Sequence, residues 1–135
     1  MAINVRLLRR VKARILAEPK QFVMDGWVTE YVDDQLFPDD DLPRKQIPNC
    51  GTAACIAGWT VALSDGVKPC DIDRNDDIST RARKLIGTET ATRLFFTPCW
   101  PEKFADRWVG AKTFKGRARV AADRIEHFIK TKGKE

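Results

Sequence analysis

One histidine and one tyrosine are all that the 135-residue chain holds of those two residue types. The single imidazole, His127, leaves a serine or cysteine triad no choice of base, and no G-x-S-x-G motif supports such a triad. The chain has no P-loop and no G-x-G-x-x-G, so the glycine-rich phosphate cradles of nucleotide enzymes are missing too. An enzyme is not the expectation. No apolar run approaches the roughly 20 residues that span a bilayer, and no membrane association is expected. The opening stretch, MAINVRLLRRVKARIL, is basic and amphipathic. It lacks the apolar segment and small-residue cleavage site of a secretory signal. A transit peptide would share its character, but the stretch runs straight into domain-like sequence, and cytoplasmic residence is expected. Internal repeats and low-complexity tracts are absent.

What is present is an ordinary globular balance, 43% hydrophobic and 32% charged. A chain of this length buries roughly two-thirds of its unfolded surface and folds as one domain without staples. Four cysteines in a cytoplasmic chain are more often buried thiols, ligands or redox groups than structural disulfides. The formal charge of +5 is unevenly spread. Six bases lie between Arg6 and Lys20 against Glu18 alone, and seven acids without a base lie between Asp25 and Asp41. From Trp100 to Glu135 there are ten bases and five acids. The chain therefore reads basic, acidic, basic.

The pattern predicts a helix over 3–17, with Leu8, Val11 and Ile15 on one face and Arg6, Arg10 and Arg14 on another. Pro19 stops it. Residues 29–48 carry three prolines and most of the acids, and read as a long loop. Thr52 is a suitable N-cap for a helix to about Leu63, closed by Gly66. Residues 66–78 form a polar connection with room for a short strand pair. Ser79 or Asp77 caps a helix through Ile86, Gly87 ends it, and Thr88 starts another through Phe96. Pro101 opens a helix that holds Phe104 and Trp108, and Thr113 caps the last one, with Phe114, Ala118, Ala121, Ile125 and Phe128 as its apolar stripe. The expectation is an all-α single domain over 1–135, built from five or six short helices, with the acidic proline-containing loop at about 29–48.

At C-G-T-A-A-C-I-A-G-W, Cys50 to Trp59, the chain resembles a group of small, functionally uncharacterised proteins from bacteria and bacteriophages. In these a Cys-Gly-Thr-x-x-Cys-apolar-Ala-Gly core follows an N-terminal helix that ends near a Pro and a Trp, here Pro19 and Trp27. A weaker likeness runs from Ala82 to Phe95, where Leu85-Ile86-Gly87-Thr88 departs from the group's Leu-Leu-Gly-Leu. The resemblance implies a fold and a mobile-element setting, and it carries no activity. Its motif residues here are Cys50, Gly51, Thr52, Cys55, Ala57 and Gly58.

These residues admit two readings. With Thr52 as N-cap, Cys55 falls at the third helical position, where the helix N-terminus favours a thiolate, and Cys50 lies just outside. The C-x4-C spacing is not the C-x-x-C of redox pairs, and the alternative is a packed, inert pair of small hydrophobes. A metal centre would have to gather Cys50, Cys55, Cys70, Cys99 and His127 from distant positions. Ala53, Ala54, Ala57 and Gly58 leave almost no side chain on one helix, which suits close approach by a neighbour. D-I-D-R-N-D-D-I, Asp71 to Ile78, resembles the start of a calcium loop. It has Asp76 where glycine is needed and Ala82 where the bidentate glutamate belongs, so a solvated turn is expected.

The charge blocks carry the functional expectations. The leading one is a non-enzymatic binding or regulatory protein that engages a protein partner through Asp33, Asp34, Asp39, Asp40 and Asp41, or through an exposed aromatic edge at Trp100 and Trp108. Inhibition of a nucleic-acid-handling host system is one form of it. The first alternative is nucleic-acid binding by the basic terminal helices, with Arg6, Arg10, Arg14, Lys115 and Arg119 on one surface if those helices are neighbours. The second is a thiol redox or metal-binding module. No cofactor is expected.

Overall fold

A computed structural model of the protein describes residues 3–19, 22, 24, 28–29, 53–68, 72 and 77–135. The first helix, α1, spans Val5–Ala17. Its N-cap is Asn4, whose side-chain oxygen accepts a hydrogen bond from the Leu7 amide at 3.1 Å. Two short strands follow: β1, Val28–Thr29, and β2, Ala53–Ala54, pair antiparallel with Val28 opposite Ala54. Phe22 adds an isolated parallel bridge to Ala54. A strand pair therefore exists, and it joins the middle of the cysteine motif to the segment that follows α1. Most of the 66–78 connection lies outside the described residues.

The helix α2, Ile56–Asp65, begins at the end of β2, and Cys55 is its N-cap. This corrects the expectation of a helix starting from Thr52. Ala53 and Ala54 are spent on strand pairing, so the chain cannot turn into a helix until after Cys55. Gly66 closes α2 in the left-handed region at φ 69°, as expected. Every residue from Ile56 to Ala62 is buried, including the small residues Ala57 and Gly58. Burial on all sides marks α2 as the central element, and α1, α3 and α4 all pack on it. Thr60 is tolerated there because its hydroxyl donates to the Ile56 carbonyl at 2.7 Å.

The helix α3, Ile78–Ile86, is capped by Asp77 and ends on Gly87 at φ 96°. Ala82, which stands where a calcium loop would need its glutamate, is fully buried. A 3₁₀ turn at Glu89–Ala91, capped by Thr88, runs into α4, Thr92–Phe95. A second 3₁₀ turn, Thr97–Cys99, precedes α5, Glu102–Gly110. The last helix, α6, spans Phe114–Lys130 and is capped by Thr113, whose hydroxyl accepts from the Gly116 amide at 2.8 Å. Mostly helical, with six α-helices and one two-residue strand pair among the described residues, the fold is all-α.

The helices α1 and α6 are neighbours and run antiparallel. Lys12 and Arg9 of α1 reach Glu126 of α6, while Ile3, just before α1, lies against Gly133, just after α6. A further junction forms at the N-terminal end of α1. The Asn4 amide donates to the Ile86 carbonyl at 2.7 Å, and the Asn4 side-chain amide donates to the Leu85 carbonyl at 3.3 Å. The first turn of α1 is thereby fastened to the last turn of α3.

Candidate nucleic-acid interface

Each group of expected site residues has a definite place, or lies outside the described residues. Cys50, Gly51 and Thr52 lie outside them, as do Asp33, Asp34, Asp39, Asp40 and Asp41. Cys55 is buried, and its sulfur accepts from the Gly58 amide at 3.5 Å. Burial pushes its thiol up to about 11, against the smaller lowering effect of the helix-start amides. Of the two readings of Cys55, burial favours the packed thiol over the thiolate: desolvation outweighs the helix end. Ala57 and Gly58 are buried in α2. Among the described residues no three His, Cys, Asp or Glu side chains come together as metal ligands.

Trp100 and Trp108 do not form an exposed edge. Only 4% and 8% of their surfaces remain accessible. Their rings meet edge to face at 5.4 Å, the Trp100 indole donates to the Leu94 carbonyl at 3.0 Å, and Phe22 closes on Trp108 at 5.9 Å. The short turn from Phe96 to Pro101 folds back and directs both rings inward.

The basic residues divide according to what they touch. Arg14 lies with its guanidinium 4.9 Å from the ring centre of Trp59 on α2. Arg10 donates to the Leu63 carbonyl in the last turn of α2 at 3.3 Å, a cation at a helix C-terminus. Lys12 bonds Glu126 at 2.9 Å, and Arg9 stands 3.7 Å from the same carboxylate with 62% of its side chain exposed. Arg6 is exposed. On α6, Arg117 stacks on Trp108 at 4.7 Å and Arg119 faces Asp123 at 3.7 Å, while Lys115 is exposed. Arg124, which its sequence position suggests for the same basic surface, is fully buried.

The terminal helices are neighbours, yet their bases do not form one continuous surface. Glu126 interrupts the seam at the level of Arg9 and Lys12. Because the helices are antiparallel, Arg6 and Lys115 stand roughly 20 Å apart along the axes at ~1.5 Å per residue. The concentration of charge lies on α1. Arg6, Arg9 and Arg10, with Val5 and Ala13, line an open cleft of about 580 Å³. On α3, whose last turn Asn4 fastens to α1, Arg83 and Lys84 line a second cleft of about 250 Å³ with Gly87, Thr88 and Glu89, and Arg83 stands 3.5 Å from the Glu89 carboxylate. The segment after α6 reaches this same end, bringing exposed Lys132 and Lys134 near Arg93 and Thr90.

Sequence reasoning found Arg6 and Arg10 but missed Arg83, Lys84, Arg93, Lys132 and Lys134. Their convergence depends on the Asn4 junction and on the fold-back after α6. Neither leaves a periodic trace in the sequence. The arrangement can hold a chain of anionic oxygens: several guanidinium and ammonium groups, most of them solvated, stand over a partly apolar floor. No family model matches the chain, and neither a curated protein nor a solved structure matches it.

Proposed function

We propose that the chain is a non-enzymatic binding protein that holds the phosphate backbone of a nucleic acid along the N-terminal end of α1. The observation that carries this reading is the cleft lined by Arg6, Arg9 and Arg10, with Arg83 and Lys84 in a second cleft on α3, whose last turn Asn4 fastens to α1. Within the protein Arg9 stands near Glu126, Arg10 donates to the Leu63 carbonyl and Arg83 stands 3.5 Å from the exposed Glu89 carboxylate. Each of these contacts uses only part of a guanidinium that offers five donors. The contacts are sequence-independent, so affinity rather than base selectivity is the expected property. A nucleic-acid-handling role in a mobile element suits the resemblance at Cys50 to Trp59.

The test is fluorescence anisotropy of labelled single- and double-stranded oligonucleotides against the protein at low and moderate salt. Steeply salt-dependent binding that weakens in an Arg6→Gln/Arg9→Gln variant supports the reading. Absence of binding at low salt removes it. Capture of a basic protein, lost when Asp39, Asp40 and Asp41 become Asn, would instead favour a protein partner.

A further inference from the structure

The largest fully buried side chain among the described residues is a charged one, Arg124. It lies on α6, with its guanidinium carbon 5.9 Å from the ring centres of both Phe104 and Phe128. Its Nε, NH1 and NH2 atoms find no hydrogen-bond partner among the described residues. A guanidinium carries five donors, and burying it without an acceptor or counter-ion is costly. Burial lowers its pKa to about 10, so it stays charged at neutral pH.

The segment after α6 folds back onto Phe128, one of the two rings that flank this cation. It turns back through Lys132 and Gly133, both at positive φ, 55° and 82°. The Gly133 amide donates to the Phe128 carbonyl at 2.9 Å, and its own carbonyl accepts from Thr90. A Cβ at Gly133 would meet Thr90, Phe128 and Ile3 at 3.2 to 3.5 Å, so the turn is closely seated. Arg93 donates to the Lys134 carbonyl at 2.6 Å, which brings a second guanidinium to this segment. The Glu135 carboxylate lies 3.1 Å from His127 Nε2, close enough to Arg124 to favour its charged form. His127 in turn sits against Phe104, the ring that also flanks Arg124.

We propose that Arg124, Arg93 and His127 form a binding site for a phosphate-type oxyanion, closed by the segment 131–135, with the Glu135 carboxylate as its resident stand-in. The charge count favours a dianion: the Arg124 and Arg93 guanidinium groups are near enough to repel one another, and the one nearby carboxylate, Glu135, engages His127 while the Arg124 donors stay unfilled. Opening the turn at Gly133 exchanges a monoanion for a ligand that can fill those donors. The site stands on Arg124 and not on the α1 cleft, so it holds whether or not the surface binds nucleic acid.

Titration of the full chain with inorganic phosphate, followed by calorimetry and phosphorus NMR, tests this. Glu135→Gln removes the stand-in at an exposed position and is expected to tighten phosphate binding roughly five- to tenfold, the weight of one charge-assisted contact. Adding Arg124→Met is expected to abolish the gain, and such a swap of a buried ion for an apolar group of similar size is usually tolerated. An unchanged affinity in Glu135→Gln overturns the proposal, and so does undiminished binding in the double variant. Should the double variant fail to fold, the single Glu135→Gln titration decides by itself.

Discussion

Lys12 Nζ lies 2.9 Å from Glu126 Oε1, and this contact ties α1 to α6 across 114 positions of sequence. The Lys12 hydrogen bond, aided by Arg9 and Lys130, holds the Glu126 carboxyl below its ordinary value of 4.5. A carboxylate with a depressed folded pKa stabilises the fold above its unfolded pKa, and that stabilisation is lost as pH falls through the folded value. Glu126→Gln is therefore expected to cost about 0.5–1 kcal/mol at neutral pH and nothing in acid well below the usual carboxylate range. Urea melts of the two proteins at both pH values check this. An equal difference at both would show that the charge is not what stabilises.

Cys55 and Cys99 are expected to behave oppositely. Cys99 is exposed, whereas Cys55 is buried with its thiol pushed up to about 11. At pH 7 only about one Cys55 in ten thousand is ionised, four units below its pKa. Alkylation of the native protein, read by peptide mass mapping, should label Cys99 within minutes and Cys55 only after denaturation. Equal labelling of both would reopen a reactive role for the motif.

Gly58 lies in the middle of the stretch of α2 that is buried on every side. Gly58→Leu forces a large side chain into that packing, a change that costs typically 1–3 kcal/mol and more where neighbours cannot yield. Thermal melting by circular dichroism should show a large loss of stability or no cooperative transition. A native-like transition would mean that α2 is not closely packed there.

Trp100→Ala is expected to destabilise by about 3–5 kcal/mol, because it empties a site against Trp108 and removes the bond to the Leu94 carbonyl. A surface tryptophan would cost far less, so a denaturant titration separates core from interface. This is the point at which the linear sequence misled. Phe104 and Trp108, four apart, announce an apolar helix face, but nothing local says whether that face meets the core or a partner. The fold-back of the chain before α5 decides it.

Other features were open to reading because their physics is local. Asp77, Thr88 and Thr113 cap the elements they precede, and Gly66 and Gly87 close helices in the left-handed region, as their side-chain chemistry requires. The start of α2 was not legible. Thr52 is the better N-cap by composition, but Ala53 and Ala54 are engaged with β1, a pairing set by residues more than twenty positions away. The basic surface was half legible. The arginine row of α1 follows from spacing, yet Arg10 and Arg14 partly serve α2. Arg83 and Lys84 join the row only because Asn4 fastens α1 to α3. Burial of Arg124 contradicts its residue type, and no pattern in the sequence foretells it.

The most direct test of phosphate-backbone binding at α1 compares Arg6→Gln with Lys115→Gln. Both residues are exposed, but they stand at opposite ends of the antiparallel pair. For duplex DNA the slope of log affinity against log salt measures the phosphates neutralised, about 0.9 for each. Arg6→Gln should weaken binding and reduce the slope by about one, while Lys115→Gln leaves both unchanged. Equal effects from the two variants, or no salt-dependent binding by the unaltered protein, would contradict a site at the N-terminal end of α1.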